Sequence, residues 1–311
     1  MNHLIIATRG SKLALWQSNH IKNVLEQAYE GLQVELKIFK TTGDKILDTP
    51  LALIGGKGLF TKELEEAMLA GDAHIAVHSL KDVPTVFPDG LVLGAVTKRE
   101  DPRDAMLSQN YATIDDLPQG AIVGTTSLRR RMQLLAYRPD LMIKDLRGNV
   151  DTRIGKLKNG EFDAIILATA GMNRLGLTQE VAYCTPISLD VMIPAMGQAA
   201  LGIEAVNHPD VLKIISILND DQAMRETTIE RQFVDTLEGG CQVPIGVHAS
   251  MDGDMIDVRA IVGMPDGSES LTHSQRIARD SYEGVGSTMA NELIAKGAKE
   301  LLKKAEAIAF K

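Results

Sequence analysis

Residues 120–140, "GAIVGTTSLRRRMQLLAYRPD", run from an apolar strand pattern through a Thr/Ser turn into a helix pattern. Near the amino terminus, "LIIATRGSKLALWQ" at 4–17 has the same order of strand, small polar turn and helix, with Ser11 placed to cap a helix from about Lys12 to Ala28. Working outward, "VELKIF" (34–39), "TKELEEAMLAG" (61–71) and "HIAVHSLKDV" (74–83) continue as strand, helix and strand. The later copy continues in the same way with "LMIKDLRGN" (141–149), "VDTRIGKLKNG" (150–160) and "EFDAIILATAG" (161–171), the last a strand ending at a small-residue turn. Strands alternating with crossover helices predict two similar α/β domains with mostly parallel sheets covered on both faces, opposed across a cleft.

Breaks in composition set the boundaries. "TKREDPRDAM" at 97–106 is charged and contains proline, and "SLDVMIPAMGQAALGIEAV" at 188–206 reads as a return crossing. Domain 1 is therefore expected at 1–99 and 196–218, domain 2 at 100–195, and a smaller α+β domain 3 at 219–311. In domain 3 a helix at 221–237 leads through "LEGGCQVPIG" (237–246) to strands "VHASM", "MIDVRAIVG" and "LTHSQRIA", and to a long C-terminal helix from about Gly284 to Lys304. The segment "KTTGDKILDTPLALIGGKGLF" (40–60) is rich in turn residues and is expected to form a lid over about 42–60. It lacks the spacing, and the Ser or Thr after the Lys, of a nucleotide-binding loop.

Composition excludes several classes of function. The 311 residues are 44% apolar, enough for a core in each domain, and 33 Lys and Arg against 41 Asp and Glu give a net charge of -8, which argues against a nucleic-acid partner. The first 17 residues reach Arg9 without a secretory apolar core, and no later run approaches a membrane span, so a cytoplasmic protein with no membrane partner is expected. Two cysteines, Cys184 and Cys241, make neither a disulfide framework nor a four-ligand zinc site, and no histidine or carboxylate cluster argues for a metal. Cys184 lies among apolar residues and reads as a small core side chain. Cys241 follows two glycines that leave space beside its sulfur, and in a reducing compartment it can stay a thiol or carry a covalent group.

Fifteen arginines are present, seven of them between Arg129 and Arg174. Arg129, Arg130 and Arg131 open a helix after "GTTS", Arg147 sits in the turn "LRGN", and Arg153 begins the next helix. Positive side chains at a helix start are locally unfavourable, so a set of them implies a negative partner, and guanidinium groups bind carboxylates bidentately. Arg131 and Arg138 read as plain surface. Asp82, with Lys81, ends an apolar strand where open α/β sheets place their sites, and could serve as acid, base, counter-ion or a mere turn residue. His78 alternates with Ala76 and reads as packed or hydrogen-bonded rather than as a base. The arginines, one carboxylate and one thiol suit a small polyanion and its attachment.

Together, "ATRGSKLALWQ", "HSLKDVP", "GTTSLRRR", "LRGNVDTR" and "LEGGCQVPIG" resemble the porphobilinogen deaminase, or hydroxymethylbilane synthase, family, from residue 4 to about 305 and with all motifs in order. The resemblance implies a monomeric transferase of tetrapyrrole and haem biosynthesis whose first two domains are like those of bilobal anion-binding proteins. It joins four porphobilinogen molecules head to tail with loss of ammonia, and releases hydroxymethylbilane from a dipyrromethane cofactor held by a thioether to Cys241. By that pattern Asp82 is the catalytic carboxylate. Lys81, Asp82, Thr126, Ser127, Arg129, Arg130, Arg147, Gly148 and Arg153 bind the cofactor, and Arg9, Ser11, Lys57, Phe60, Arg147, Arg153 and Arg174 bind substrate. The chain departs from the pattern at Ala199, where glycine is common, at Thr126, where serine is frequent, and in "VDTLEGG", which lacks a basic residue often found there. A two-lobed binding protein or regulator effector domain would share the strand-helix repeat but need neither Cys241 nor Asp82, and a thiol hydrolase would need a base that no residue convincingly supplies.

Overall fold

A computed structural model describes residues 1–45, 58–238 and 243–309 of the chain. They divide into two compact units: one holds the described residues up to Glu100 together with Ala200–Arg225, the other Asp101–Ala199 and the described residues from Glu226 onward.

The first unit is built on β1 (His3–Arg9), α1 (Lys12–Ala28), β2 (Gln33–Phe39), α2 (Lys62–Leu69), β3 (Ile75–Ser79) and β4 (Leu91–Val96). It is completed after the return crossing by strand Leu201–Val206. Alternating Leu4, Ile6, Ile75, Val77 and Ile203 project from the sheet onto Ile21 and Leu25 of α1, all buried. Burying each such side chain is worth about 1.5–3 kcal/mol, so this packing fixes the register of the strands.

In the second unit, β5 (Asp104–Ser108), β6 (Ile122–Gly124), α3 (Leu128–Tyr137), β7 (Met142–Lys144), α4 (Val150–Lys158), β8 (Ala164–Ala168), α5 (Thr169–Leu175) and β9 (Tyr183–Pro186) follow in order. The small-residue turn expected after β8 is thus the helix α5, which stops at Gly176 in the left-handed region (φ 64). With β10 (Leu201–Val206) and α6 (Pro209–Ile215) the chain finishes the first unit, and α7 (Asp221–Thr236) carries it into the second. There β11 (Ile245–Asp252), β12 (Met255–Gly263) and β13 (Ser270–Ala278) form an antiparallel meander with its own core around Phe233, Val247 and Val258. The long terminal helix expected from the sequence is two helices, α8 (Val285–Ala295) and α9 (Ala298–Ala309), because Gly297 takes φ 97 between them.

The two α/β sheets share one plan but are mixed rather than mostly parallel. Their orders are β2-β1-β3-β10-β4 and β7-β6-β8-β5-β9. β1 is parallel to β2 and β3, and β6 to β7 and β8, whereas β10 and β5 run antiparallel to both of their neighbours. The reason is where the crossing chain enters. Leu201, the first residue of β10, faces Ser79, the last of β3, and Asp104, the first residue of β5, faces Ala168, the last of β8. A strand arriving at the carboxyl edge of its neighbour can only run back along it.

The return crossing is pinned residue by residue. Gly197 N donates to Glu230 at 2.6 Å, Gln198 Nε2 to the Pro102 carbonyl at 2.8 Å, and Arg174 Nη2 to the Ala199 carbonyl at 2.7 Å. Leu80 N then donates to the Ala200 carbonyl at 3.0 Å. Ala199 is buried and takes φ 77, a left-handed conformation that costs a residue with a Cβ about 1–2 kcal/mol. Ala199→Gly should therefore melt within about 1 kcal/mol of the parent, relief of strain offsetting lost backbone entropy and methyl burial. Ala199→Val, β-branched, should lose roughly 2–3 kcal/mol in the same thermal unfolding experiment.

Candidate functional site

In the first unit the predicted residues gather at the carboxyl ends of two adjacent parallel strands, β1 and β3. Arg9 is the last residue of β1, and Ser11 caps α1, its Oγ accepting from Ala14 N at 3.3 Å. The half-buried Arg9 guanidinium lies over the Phe60 ring, 4.1 Å from its centroid, and its Nε reaches both Asp44 carboxylate oxygens at 3.2 Å. Burial alone would raise the Asp44 carboxyl, but hydrogen bonds from Arg9 and Thr41 hold it below its ordinary value.

After β3 the chain makes a single 3-10 turn, Leu80–Asp82. Leu80 and Val83 are fully buried with Val96, Ala200 and Ala223, and Val83 N donates to the Leu80 carbonyl at 3.1 Å. This fixes the backbone beneath half-buried Lys81 and exposed Asp82. Backbone bonds close the turn, Leu80 N to the Ala200 carbonyl and Val83 N to the Leu80 carbonyl, and Asp82 is exposed on it. His78 is buried and hydrogen-bonded to Glu204 at 3.0 Å, the packed role its alternation with Ala76 suggested.

In the second unit the predicted residues again follow the carboxyl ends of parallel strands, here β6, β7 and β8. Ser127 caps α3, its Oγ accepting from Arg130 N at 3.4 Å, and Thr126 is exposed, with its Oγ1 3.4 Å from the Leu146 carbonyl. Asn149 caps α4, accepting from Thr152 N at 2.9 Å. Gly148 has φ 113, and a Cβ on it would fall 2.8 Å from Thr152 Cβ, so the turn between Arg147 and α4 closes only around glycine. Arg153 Nε donates to the Gly148 carbonyl at 2.8 Å, tying the second arginine to the turn that carries the first. Arg147 and Arg153 are both half-buried. Arg174, in the last turn of α5, holds the Ala199 carbonyl.

The negative partner that the arginines at the start of α3 require includes a residue of the protein itself. Asp104 is 0% exposed, Arg129 5% and Arg130 6%. Arg129 Nη1 donates to Asp104 Oδ2 at 2.7 Å, and Arg130 donates to Oδ1 through Nε at 3.0 Å and Nη2 at 2.7 Å. Arg129 Nη1 also reaches the Ile193 carbonyl and Arg130 Nη1 the Ile166 carbonyl, each at 2.8 Å. Two guanidiniums on one carboxylate leave the cluster with net positive charge at a helix start. Sequence reasoning took Asp104 only as part of a charged boundary; the available signal was its place as first residue of the apolar strand "DAML". Arg138 is not plain surface either: it pairs with Asp140 at 2.7 Å and donates to the Ile114 and Leu117 carbonyls, closing the loop before β6. Arg131 is half-buried.

Cys241 and Lys57 lie outside the described residues, as does most of the expected lid. Cys184, on β9, is half-buried against a core cluster, and burial pushes its thiol up. Among the described residues no group of three or more potential ligands could hold a metal, and no helix is long and apolar enough to cross a membrane.

Residues 4–213 match the family model for porphobilinogen deaminase, dipyromethane cofactor binding domain, and residues 224–295 match porphobilinogen deaminase, C-terminal domain. The chain belongs to the porphobilinogen deaminase family. It is 64% identical over 309 residues to the porphobilinogen deaminase of Sulfurimonas denitrificans, covering 99% of each chain. It is 65% identical over 309 residues to that of Nitratiruptor sp., covering 99% of this chain and 98% of the other. The porphobilinogen deaminase of Aliarcobacter butzleri is 62% identical over 312 residues and is covered in full, as is this chain. Among solved structures, a TRAP periplasmic solute binding protein from Desulfovibrio salexigens is similar with a TM-score of 0.43 and 14% identity, over 71% of this chain and 73% of that one. Membership of the porphobilinogen deaminase family makes the chain an enzyme of tetrapyrrole biosynthesis with a dipyrromethane cofactor.

Proposed function

We propose that this enzyme joins four porphobilinogen molecules head to tail, releasing ammonia at each addition, and hydrolyses the product hydroxymethylbilane from a dipyrromethane primer attached to Cys241. The observation that carries the reading is Asp82: an exposed carboxylate on a turn whose backbone is anchored on both sides by buried residues. A dipyrromethane carries four carboxylates, and the donor set of the second unit suits such a group. Arg147 and Arg153 supply two cations linked through Gly148, the starts of α3 and α4 supply N–H donors, and the Arg129–Arg130–Asp104 cluster adds positive charge. When bound, the primer supplies the terminal pyrrole carbon on which the chain is extended.

The protein's own part is electrostatic. In porphobilinogen the bond between the aminomethyl carbon and nitrogen breaks, the nitrogen leaves as ammonia carrying a proton, and positive charge develops on the pyrrole. A new carbon-carbon bond then forms, and the attacking pyrrole loses its α-proton. The Asp82 carboxylate, on its anchored turn, stabilises the charge on the pyrrole N–H in both steps. Arg9 and Ser11, at the carboxyl end of β1, take a substrate carboxylate, Lys57, Phe60, Arg147, Arg153 and Arg174 complete the substrate contacts, and Lys81 belongs with the residues that bind the cofactor. The enzyme works as a cytoplasmic monomer.

Intact-protein mass spectrometry tests this directly. Protein from a porphobilinogen-producing host should exceed the 33.7 kDa of the bare chain by the mass of a covalent dipyrromethane, and Cys241→Ser should lose both adduct and activity while folding normally. An unmodified wild-type chain with full activity would refute the primer mechanism.

A further inference from the structure

Arg9 is a recognition group whose orientation must be set by something, and the structure shows what sets it. Asp44 takes the guanidinium along one edge, accepting from Nε and from Nη2. Asp44 is itself held: its Oδ2 accepts from Thr41 N at 3.2 Å and from Thr41 Oγ1 at 2.7 Å, and Asp44 N donates back to the Thr41 carbonyl at 3.1 Å. Thr41 is fully buried. A carboxylate fixed by a backbone N–H, a hydroxyl and a guanidinium is not one that swings aside for a competitor.

Phe60 controls the face of the same guanidinium. Its ring is seated on Gly43, where a Cβ would fall 2.1 Å from Phe60 Cε1, so only glycine lets the ring in. Gly43 N also donates to the Leu59 carbonyl at 2.8 Å, and Thr42 donates to Glu63 through N at 2.7 Å and Oγ1 at 2.6 Å. Residues 41–44 and 59–63 are therefore laced together, and Arg9 is held by one residue from each stretch.

We infer that Asp44 is a positioning residue for substrate recognition: with Phe60 it fixes the Arg9 guanidinium by one edge and one face, so that the edge carrying Nη1 is presented to a carboxylate of the pyrrole substrate. A planar fork held in this way loses little further freedom when it binds a second carboxylate. Net charge alone would predict the opposite sign, since Asp44 cancels the charge of Arg9; the geometry makes orientation the larger effect.

The inference rests on the assignment of Arg9 to a substrate carboxylate, and the experiment separates the two. Steady-state kinetics of the holoenzyme with porphobilinogen, and with an analogue in which one carboxylate is an amide, would be compared for wild type, Arg9→Gln, Asp44→Ala, Asp44→Asn, Asp44→Glu and Phe60→Leu, with melting curves for each. Asp44→Ala should raise KM about tenfold with kcat within about twofold, and should reduce the preference for porphobilinogen over the amide by a similar factor. Asp44→Glu should restore most of the KM, and Phe60→Leu, which acts on the face rather than the edge, should raise it in the same sense. A merely structural role would change melting without changing the preference between the two substrates, and that result overturns the inference. So does an unchanged or lowered KM in the Asp44 variants while Arg9→Gln raises it. An unchanged KM in Arg9→Gln overturns the assignment of Arg9, and this inference with it.

Discussion

Asp82→Asn should lower kcat by about 10²–10³-fold, with KM and melting temperature close to wild type. The fold is indifferent to the change because the turn is closed by backbone bonds, Leu80 N to the Ala200 carbonyl and Val83 N to the Leu80 carbonyl, and by burial of Leu80 and Val83. The amide keeps the size and removes the charge, so it isolates the electrostatic contribution. Asp82→Glu keeps the charge but displaces it by one methylene and should retain a trace of turnover, since misplacement weakens the field without abolishing it. Each variant must be loaded with preassembled dipyrromethane, because the chemistry that extends the chain also builds the primer, and an unloaded Cys241 would imitate a catalytic defect. Single-turnover ammonia release on the loaded proteins decides the matter. Near-normal release by Asp82→Asn would remove the proposed role.

Much of this arrangement was legible in the sequence because it is local. The strand-turn-helix signature of "ATRGS" places Ser11 as a cap, and it is found; "GTTS" reads as a Thr/Ser turn before a helix, and the structure makes its Ser127 the cap of that helix. A capping side chain contacts a backbone N–H three residues on, so a short window contains the whole interaction. The directions of β5 and β10 were not legible, because they depend on which edge of a sheet a crossing chain meets, a fact about Ser79 and Leu201 jointly. Arg138 read as surface because its partners are Asp140 and two carbonyls more than 20 residues earlier. The pinning of Ala199 by Arg174 and of Ala200 by Leu80 likewise depends on partners distant in sequence. Asp44 lay within a segment read as a lid, where turn residues hide a carboxylate whose partner is Arg9, 35 positions away. What the sequence conceals is chiefly the pairing of charges across long separations, and the clearest case is Asp104.

Removing the Asp104 carboxylate should be the most destabilising single change among the polar residues considered. Asp104→Ala leaves Arg129 and Arg130 buried without the carboxylate that both contact, and also removes the acceptor of Gln198 Nε2 at 3.1 Å. Breaking a buried ion pair from one side typically costs about 3–5 kcal/mol, because the remaining charge cannot regain its hydration. At about 2–4 °C per kcal/mol for a domain of this size, the second unit should melt roughly 10 °C lower. The same change should impair primer loading, since α3 begins on these arginines and its cap, Ser127, belongs to the proposed carboxylate site. Arg147→Ala provides the contrast: Arg147 is half-buried in the turn before α4 rather than buried like Arg129 and Arg130, so loading should fall with a smaller loss of melting temperature than in Asp104→Ala. A double-mutant cycle with Arg130→Ala then apportions the effect. If the two side chains act as one unit, the double mutant should be less destabilised than the sum of the singles by about 1–3 kcal/mol. Additive losses would mean that Arg130 is neutralised by groups other than Asp104, and that the charge at the start of α3 is set elsewhere.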